Sequence, residues 1–256
     1  MRNSASCQAT ELSGTSQGYP GAPRRYVLPV RRVDLNADLG EEVTDDASLL
    51  TLVTSANVAC GYHAGTPVTM RGVCAEAARL GVAVGAQVSY ADRENFGRVA
   101  RDLPPDLLTE QVADQVGTLT AIAVEEGVAV SYVKAHGALY HRVREDVEQA
   151  AAVLAGSAHL PVLGQHGVLL DLATGAGRAT YVEGFADRAY RGDTLVPRDE
   201  PGALIEDVEA IAAQAVSLVR TTDSICVHGD SPNAVEAARA VRRALTDAGV
   251  DLVAPW

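Results

Sequence analysis

Residues 31–40 read RRVDLNADLG. On an extended chain successive side chains point to opposite faces, so Asp34, Asn36 and Asp38 share one face while Val33, Leu35, Ala37 and Leu39 share the other. Two acids and an amide directed into one barrel would repel one another without a cation or a ligand. Carboxylates that merely cap loops are the plainer alternative. What the rest of the chain builds around this strand decides between them.

Six more short apolar runs follow: SANVACG (55–61), GVAVGAQ (81–87), AVSYVKAHG (129–137), LPVLGQHG (160–167), ATYVEGFAD (179–187) and DSICVHGD (223–230). Alanine-rich amphipathic patterns separate them. One starts at Thr66-Pro67, a cap followed by a first-turn proline, and stops before Gly81, which suits the left-handed exit. Others run from about Asp106 to Glu126, from Pro201-Gly202 to about Arg220, and from Ser231-Pro232 to near Gly249. Strand alternating with helix implies a parallel sheet covered by helices. The chain has no GxGxxG and no GxxxxGK[ST], so a single seven-stranded (β/α) barrel is expected rather than an open nucleotide-binding sheet. Residues 1–32, rich in Ser, Gly, Pro and Thr, read as a disordered extension, and 33–256 as the barrel domain.

The formal charge of −12 argues against nucleic acid and anionic membranes as partners. No apolar run is long enough to span a bilayer. Cys7, Cys60, Cys74 and Cys226 form no CxxC pair, which points to a reducing, cytoplasmic setting.

In parallel α/β folds ligands bind where the strands end. Those ends carry Asp34, Asn36 and Asp38; Asn57 and His63; Gln87 and Tyr90; Lys134 and His136; Glu183, Asp187 and Arg188; and His228 and Asp230. So many buried polar groups are costly without partners, so a functional mouth is expected. Lys134 is the only lysine beside 20 arginines. A compact ammonium is wanted where a point charge meets a phosphate or oxyanion, or where a pKa must fall. His63, His136 and His228 are candidates for proton transfer, and with Asp38 they could form a metal site. Cys226 reads as a small buried apolar residue. His166 reads as structural or incidental, and His141 and His159, in helical or loop segments, as surface residues.

Together, DLNADLGE, SANVACGYHAG, GVAVGAQVSY with NFGR, YVKAHGALY, GFADRAY with LVPR, and SICVHGD resemble the lactam-utilisation family, described as the A subunits of 5-oxoprolinases. The resemblance implies a barrel of the glycoside hydrolase/deacetylase type. It implies ATP-dependent opening of 5-oxoproline to glutamate with two other subunits; Mg²⁺ is expected with the nucleotide, and a homo-oligomer is compatible. Its polar signature falls on Asp34, Asn36, Asp38, Glu41, Asn57, His63, Lys134, His136, Asp187, Arg188, Tyr190, Asp223, His228 and Asp230. Lys134, His136, His63, Asp38 and His228 are then expected to be catalytic. Asp34, Asn36, Asn57, Gln87, Tyr90, Asp187, Arg188 and Asp230 are expected to bind substrate or nucleotide. Lys134→Arg is expected to stop turnover with little effect on stability.

This chain departs from the family pattern at Thr66 (usually Asp), at Gln87-Val88 (usually His-Pro), and at Ala135 and His141 (usually Pro and Asn). Those departures keep two other readings open: a stand-alone metal-dependent amide or acetyl hydrolase, and a catalytically impaired ligand-binding subunit.

Overall fold

A computed structural model describes residues 31–256. The expected N-terminal extension lies outside these residues except for Arg31 and Arg32, and Arg32 already belongs to the first strand. The strands are β1 (Arg32–Leu39), β2 (Ser55–Ala59), β3 (Ala83–Val88), β4 (Val130–Ala135), β5 (Val162–Gly164), β6 (Thr180–Phe185), β7 (Tyr190–Arg191), β8 (Thr194–Leu195), β9 (Ser224–Val227) and β10 (Asp251–Leu252). The helices are α1 (Asp46–Leu50), α2 (Pro67–Leu80), α3 (Pro105–Glu125), α4 (Gly137–Arg142), α5 (Val147–Gly156), α6 (Val168–Gly175), α7 (Val208–Leu218) and α8 (Ala234–Asp247).

All seven apolar runs become strands. They form one ring in the order β1-β2-β3-β4-β5-β6-β9, closed by parallel pairing of β1 with β9. Every neighbouring pair in the ring is parallel. All the strands therefore discharge their C-terminal ends at one rim, which is where a functional mouth belongs. The helices pack outside, and their buried faces join the outward apolar residues of the strands in one core, with Leu35, Leu39, Leu108, Leu119 and Ile211 fully buried.

Helix α2 starts and stops where its sequence says: Thr66 accepts from the Thr69 N–H, Pro67 sits in the first turn, and Gly81 exits at φ 71°. Two other boundaries differ from the expected ones. Helix α7 starts at Val208, capped by Asp207, because Leu204 and Ile205 instead pair back onto Arg188 and Asp187. Helix α8 starts at Ala234 rather than Ser231-Pro232; the Asn233 side chain just before it reaches across to the Glu206 carbonyl. The β7–β8 hairpin and β10 were not expected. They are two-residue strands, too short for any periodicity.

The barrel interior is polar at the mouth and aromatic beneath. The Tyr132 ring crosses the interior so closely that a Cβ on Gly85 would lie 2.2 Å from it. Below, the C-terminal segment pairs β10 with β1 and carries Trp256 under the ring. The indole stacks on Tyr132 at 3.8 Å, meets Tyr181 edge-on, and donates to Ser55 Oγ at 2.9 Å. Trp256 is the only tryptophan in the chain. Removing a fully buried aromatic of this size costs about 3–5 kcal/mol, and the half-buried Trp256 somewhat less. Trp256→Ala is expected to lower the urea midpoint, followed by circular dichroism, with the slope unchanged. An unchanged midpoint would mean that the segment does not brace the barrel.

Candidate active site

The interior polar residues lie in layers set by strand register. Asp34 is level with Ser224, the first residue of β9, so it lies near the lower rim. Its carboxylate accepts from Thr54 Oγ1 at 2.5 Å and Ser55 Oγ at 2.7 Å, and also from Ser224 Oγ. Burial, opposed by these hydroxyls, pushes its pKa up to about 6. The next layer is Asn36, Asn57 and Tyr132: Asn57 Nδ2 donates to Asn36 Oδ1 at 2.7 Å, and Tyr132 Oη donates to Asn57 Oδ1 at 2.6 Å. Asp34, Asn36 and Asn57 are fully buried and satisfied by the protein, and this layering places them below the mouth.

Lys134 occupies the layer above. Its ammonium lies 2.9 Å from Asp38 Oδ1, 2.8 Å from Glu183 Oε1 and 3.4 Å from Cys226 Sγ. An ammonium has three N–H donors, and three protein groups surround this one. Burial alone would lower the lysine pKa, but Asp38, Cys226 and Glu183 outweigh it and hold the group charged, well above its ordinary value. Of the two roles a lone lysine suggested, the depressed pKa does not fit this surrounding. Nor does the expected indifference of stability to Lys134→Arg: the residue is 2% exposed between two buried carboxylates, and a longer planar group cannot take its place without displacing them.

Asp38 is where this layer meets the mouth. Burial raises its pKa, but Lys134, with His136 and His228, outweighs it and keeps the carboxylate ionised, well below its ordinary value. Its Oδ1 accepts from Asn57 and Lys134, while Oδ2 lies 3.8 Å from His136 Nδ1. Above it stand Glu41, His63, Gln87 and His136. The two imidazoles stack at 4.0 Å, and the Phe96 ring meets both edge-on. His136 Nε2 donates to the Phe96 carbonyl at 3.1 Å, leaving Nδ1 to accept from Gln87 Nε2 at 2.8 Å. Gln87 also donates to Glu41 Oε1 at 3.0 Å. Burial pushes Glu41 up to about 7 and His63 down to about 4. Both ring nitrogens of His63 are buried without a hydrogen-bond partner. A Cβ on Gly137 would strike the Gly97 carbonyl at 2.3 Å, so the loop carrying Phe96 packs directly on the start of α4.

Glu41, His63 and His136 each offer a ligand atom within 4.8 Å of the others. This set differs from the metal set expected from sequence. Glu41 belongs to it, whereas Asp38 is held by Lys134, and His228 belongs to a separate pair across the mouth. His228 Nδ1 lies 2.9 Å from Asp187 Oδ1, and its backbone N–H donates to Asp187 Oδ2 at 2.8 Å. The Phe185 ring stacks on the imidazole at 5.1 Å. Burial opposes the charged histidine, but Asp187 wins and raises its pKa. With Nδ1–H committed to Asp187, Nε2 is the atom that can exchange a proton with a ligand.

Among the remaining expected binding residues, Tyr90 does not join the mouth. It is fully buried, and its hydroxyl donates outward to Gln149 of α5 at 3.0 Å. Asp223 accepts from the Val182 N–H at the lower rim, and the Tyr190 hydroxyl accepts from the Phe185 N–H at 2.8 Å. Arg188 is buried and donates to the Val196 and Ala203 carbonyls. Asp230 sits at the mouth between Arg98 and Arg198, two residues the strand-end reading missed because both lie on loops. Thr66 caps α2, a task threonine and aspartate share, so the departure there keeps the cap.

A family model described as the LamB/YcsF family matches residues 33–255. The chain is 50% identical over 247 residues to the A subunit of the 5-oxoprolinase of Streptomyces avermitilis, covering 87% of this chain and 99% of that protein. It is 49% identical over 245 residues to the corresponding A subunit of Mycobacterium marinum, covering 86% and 97%. Among solved structures it is similar to the lactam utilization protein from Thermus thermophilus, with a TM-score of 0.81 and 37% identity over 87% of this chain and 99% of that one.

Proposed function

The chain belongs to the LamB/YcsF family, and from that premise we propose that it is the A-type subunit of a 5-oxoprolinase. It opens 5-oxoproline to glutamate with ATP hydrolysis, in a complex with two other subunits. What carries the reading is the match at about half identity over nearly the full length of relatives bearing that name. The chain is taken to work in the cytoplasm, in keeping with three buried free cysteines. No helix among the described residues is long and apolar enough to cross a membrane.

A lactam carbonyl is a poor electrophile. Transfer of the γ-phosphoryl group of ATP to its oxygen, with ADP leaving, makes the ring carbon a good acceptor for water. Collapse then breaks the C–N bond, a proton goes to nitrogen, and a second water hydrolyses the resulting acyl phosphate. The chain offers groups for the proton transfers. His228, oriented by Asp187, exchanges protons through Nε2. Asp38 Oδ2 is an ionised acceptor facing His136, and Lys134 keeps it ionised from behind. In this reading Lys134 is a positioning residue rather than a ligand contact. Gln87 and Asp230 stand at the mouth, and Arg188 is buried behind it on the Val196 and Ala203 carbonyls. Asp34, Asn36 and Asn57 support the layer above them.

A divalent metal fits the residues at one place. Two imidazoles and a carboxylate suit Zn²⁺ or a similar ion, and His63 has no protein partner for either nitrogen. Glu41, His63 and His136 would hold it, once the Gln87 amide turned its N–H away. It would supply Lewis acidity toward a carbonyl or phosphoryl oxygen. The same three residues favour a second reading, a metal-dependent amide hydrolase acting without ATP.

One assay separates the two. Coexpressed with its partner subunits, the chain is expected to release glutamate and ADP in equal amounts from 5-oxoproline, and nothing when ATP or any subunit is omitted. Glutamate released by the lone, metal-loaded chain without ATP would favour the second reading. No release under either condition would sink both.

A further inference from the structure

The mouth holds a pair of arginines, Arg98 and Arg198, that the proposed chemistry has not used. Arg98 lies on the loop after β3 and Arg198 on the loop after β8, and both donate to the same oxygen, Asp230 Oδ2, Arg198 at 2.7 Å. Each guanidinium makes one hydrogen bond there out of five N–H groups, and neither has another acceptor among the described residues. Arg98 is further fixed by lying 4.8 Å above the Phe96 ring, the ring that touches His63 and His136. Arg188 precedes the β7–β8 hairpin and donates to Val196, just after it. It is 3% exposed, donates only to the carbonyls of Val196 and Ala203, and has no carboxylate partner among the described residues. Asp187, its neighbour in sequence, is committed to His228.

Two guanidiniums thus share one carboxylate oxygen, with a third, Arg188, buried nearby on backbone carbonyls, in a chain whose formal charge is −12. The pair also bridges the two sides of the mouth: the charge of Arg98 is felt at His63 and that of Arg198 at His228. Arginines held on one oxygen, with the remaining donors of their forks uncommitted, match the planar two-oxygen geometry of a carboxylate or a phosphoryl group.

We propose that Arg98 and Arg198, aligned by Asp230 and backed by Arg188, form the oxyanion-binding clamp of this mouth. The proposal rests on the 5-oxoprolinase reading only for the source of the anion, which is either the carboxylate of 5-oxoproline or a phosphoryl group of ATP. Asp230 is then an aligning residue, holding the two arginines at one spacing rather than touching the ligand itself.

Two measurements on the full chain test it. In the assembled complex, Arg98→Met, Arg198→Met and the double variant are expected to raise a KM tenfold or more for the double, with Arg198→Lys falling between. A rise for 5-oxoproline with KM for ATP unchanged identifies the carboxylate; the reverse identifies the phosphoryl group. Both side chains are partly exposed, so the single variants, which leave Asp230 one arginine, should fold with melting temperatures near wild type; adding Asp230→Asn to the double variant removes the carboxylate it would strand. The second measurement needs no turnover. Phenylglyoxal labelling of Arg98 and Arg198, read by peptide mass, should be slowed by 5-oxoproline or by inorganic phosphate, and not by 2-pyrrolidinone, which lacks the carboxylate. Protection without turnover would leave the clamp standing while removing the 5-oxoprolinase reading. Turnover with both KM values within twofold of wild type in the double variant would overturn the clamp alone, as would equal protection by 2-pyrrolidinone.

Discussion

Replacing Lys134 with methionine is expected to stop turnover and to cost roughly 3–5 kcal/mol of stability, the range for removing one partner of a buried ion pair. The reason is what remains. Asp38 and Glu183, both nearly inaccessible, would face each other with no cation between them. In a domain of this size each kcal/mol moves the melting temperature by about 2–4 °C, so a drop of roughly 6–20 °C is the expected reading. The loss of activity follows from the same cause. Without the ammonium Asp38 loses the largest influence that lowers its pKa, so the ionised acceptor beneath His136 is weakened. Adding Glu183→Gln to Lys134→Met removes one stranded charge. The double variant should regain part of the lost stability and none of the activity. If Lys134→Met melts within a degree or two of wild type, the ammonium is not the keystone its surroundings suggest.

The barrel was legible in the sequence because each of its strands is a short apolar run bounded by turn residues, and the alternation in Asp34, Asn36 and Asp38 gave the inward face of β1 correctly. Alternation says nothing of height along the barrel, which is why Asp34 looked like a mouth residue and lies at the lower rim. It also stops where the strand stops. Tyr90 lies two residues past the end of β3 and turns outward to Gln149, and Glu41, two residues past β1, escaped the alternation and was supplied only by resemblance. Lys134 stood out as the only lysine, but its confinement between Asp38 and Glu183 is a contact between strands far apart in sequence, with no local signature. Arg98 and Arg198 sit on loops, where no periodicity marks which side chains turn toward the site.

His228 carries the other large effect. His228→Gln keeps a polar side chain of similar size and removes proton transfer, for which a fall in kcat of roughly 10²–10⁴ is expected. Asp187→Asn tests how the imidazole is tuned. In the wild type the carboxylate raises the His228 pKa against the opposing effect of burial. If His228 acts as a base, kcat/KM rises with pH through that raised value. Removing the carboxylate leaves burial opposed only by the charge of Asp38, so the acid limb of the Asp187→Asn profile should move to lower pH while its plateau falls. Stability carries the same signature with its own sign. A histidine whose folded pKa is raised contributes stability that is fully present below its unfolded pKa of about 6.5 and is lost as pH rises through the folded value. Wild type should therefore lose stability across that window relative to Asp187→Asn, which lacks the pairing. A merely structural aspartate would lower stability at every pH and leave the acid limb where it was. A shifted limb with a matching pH-dependent stability difference assigns both residues to one proton-transfer pair.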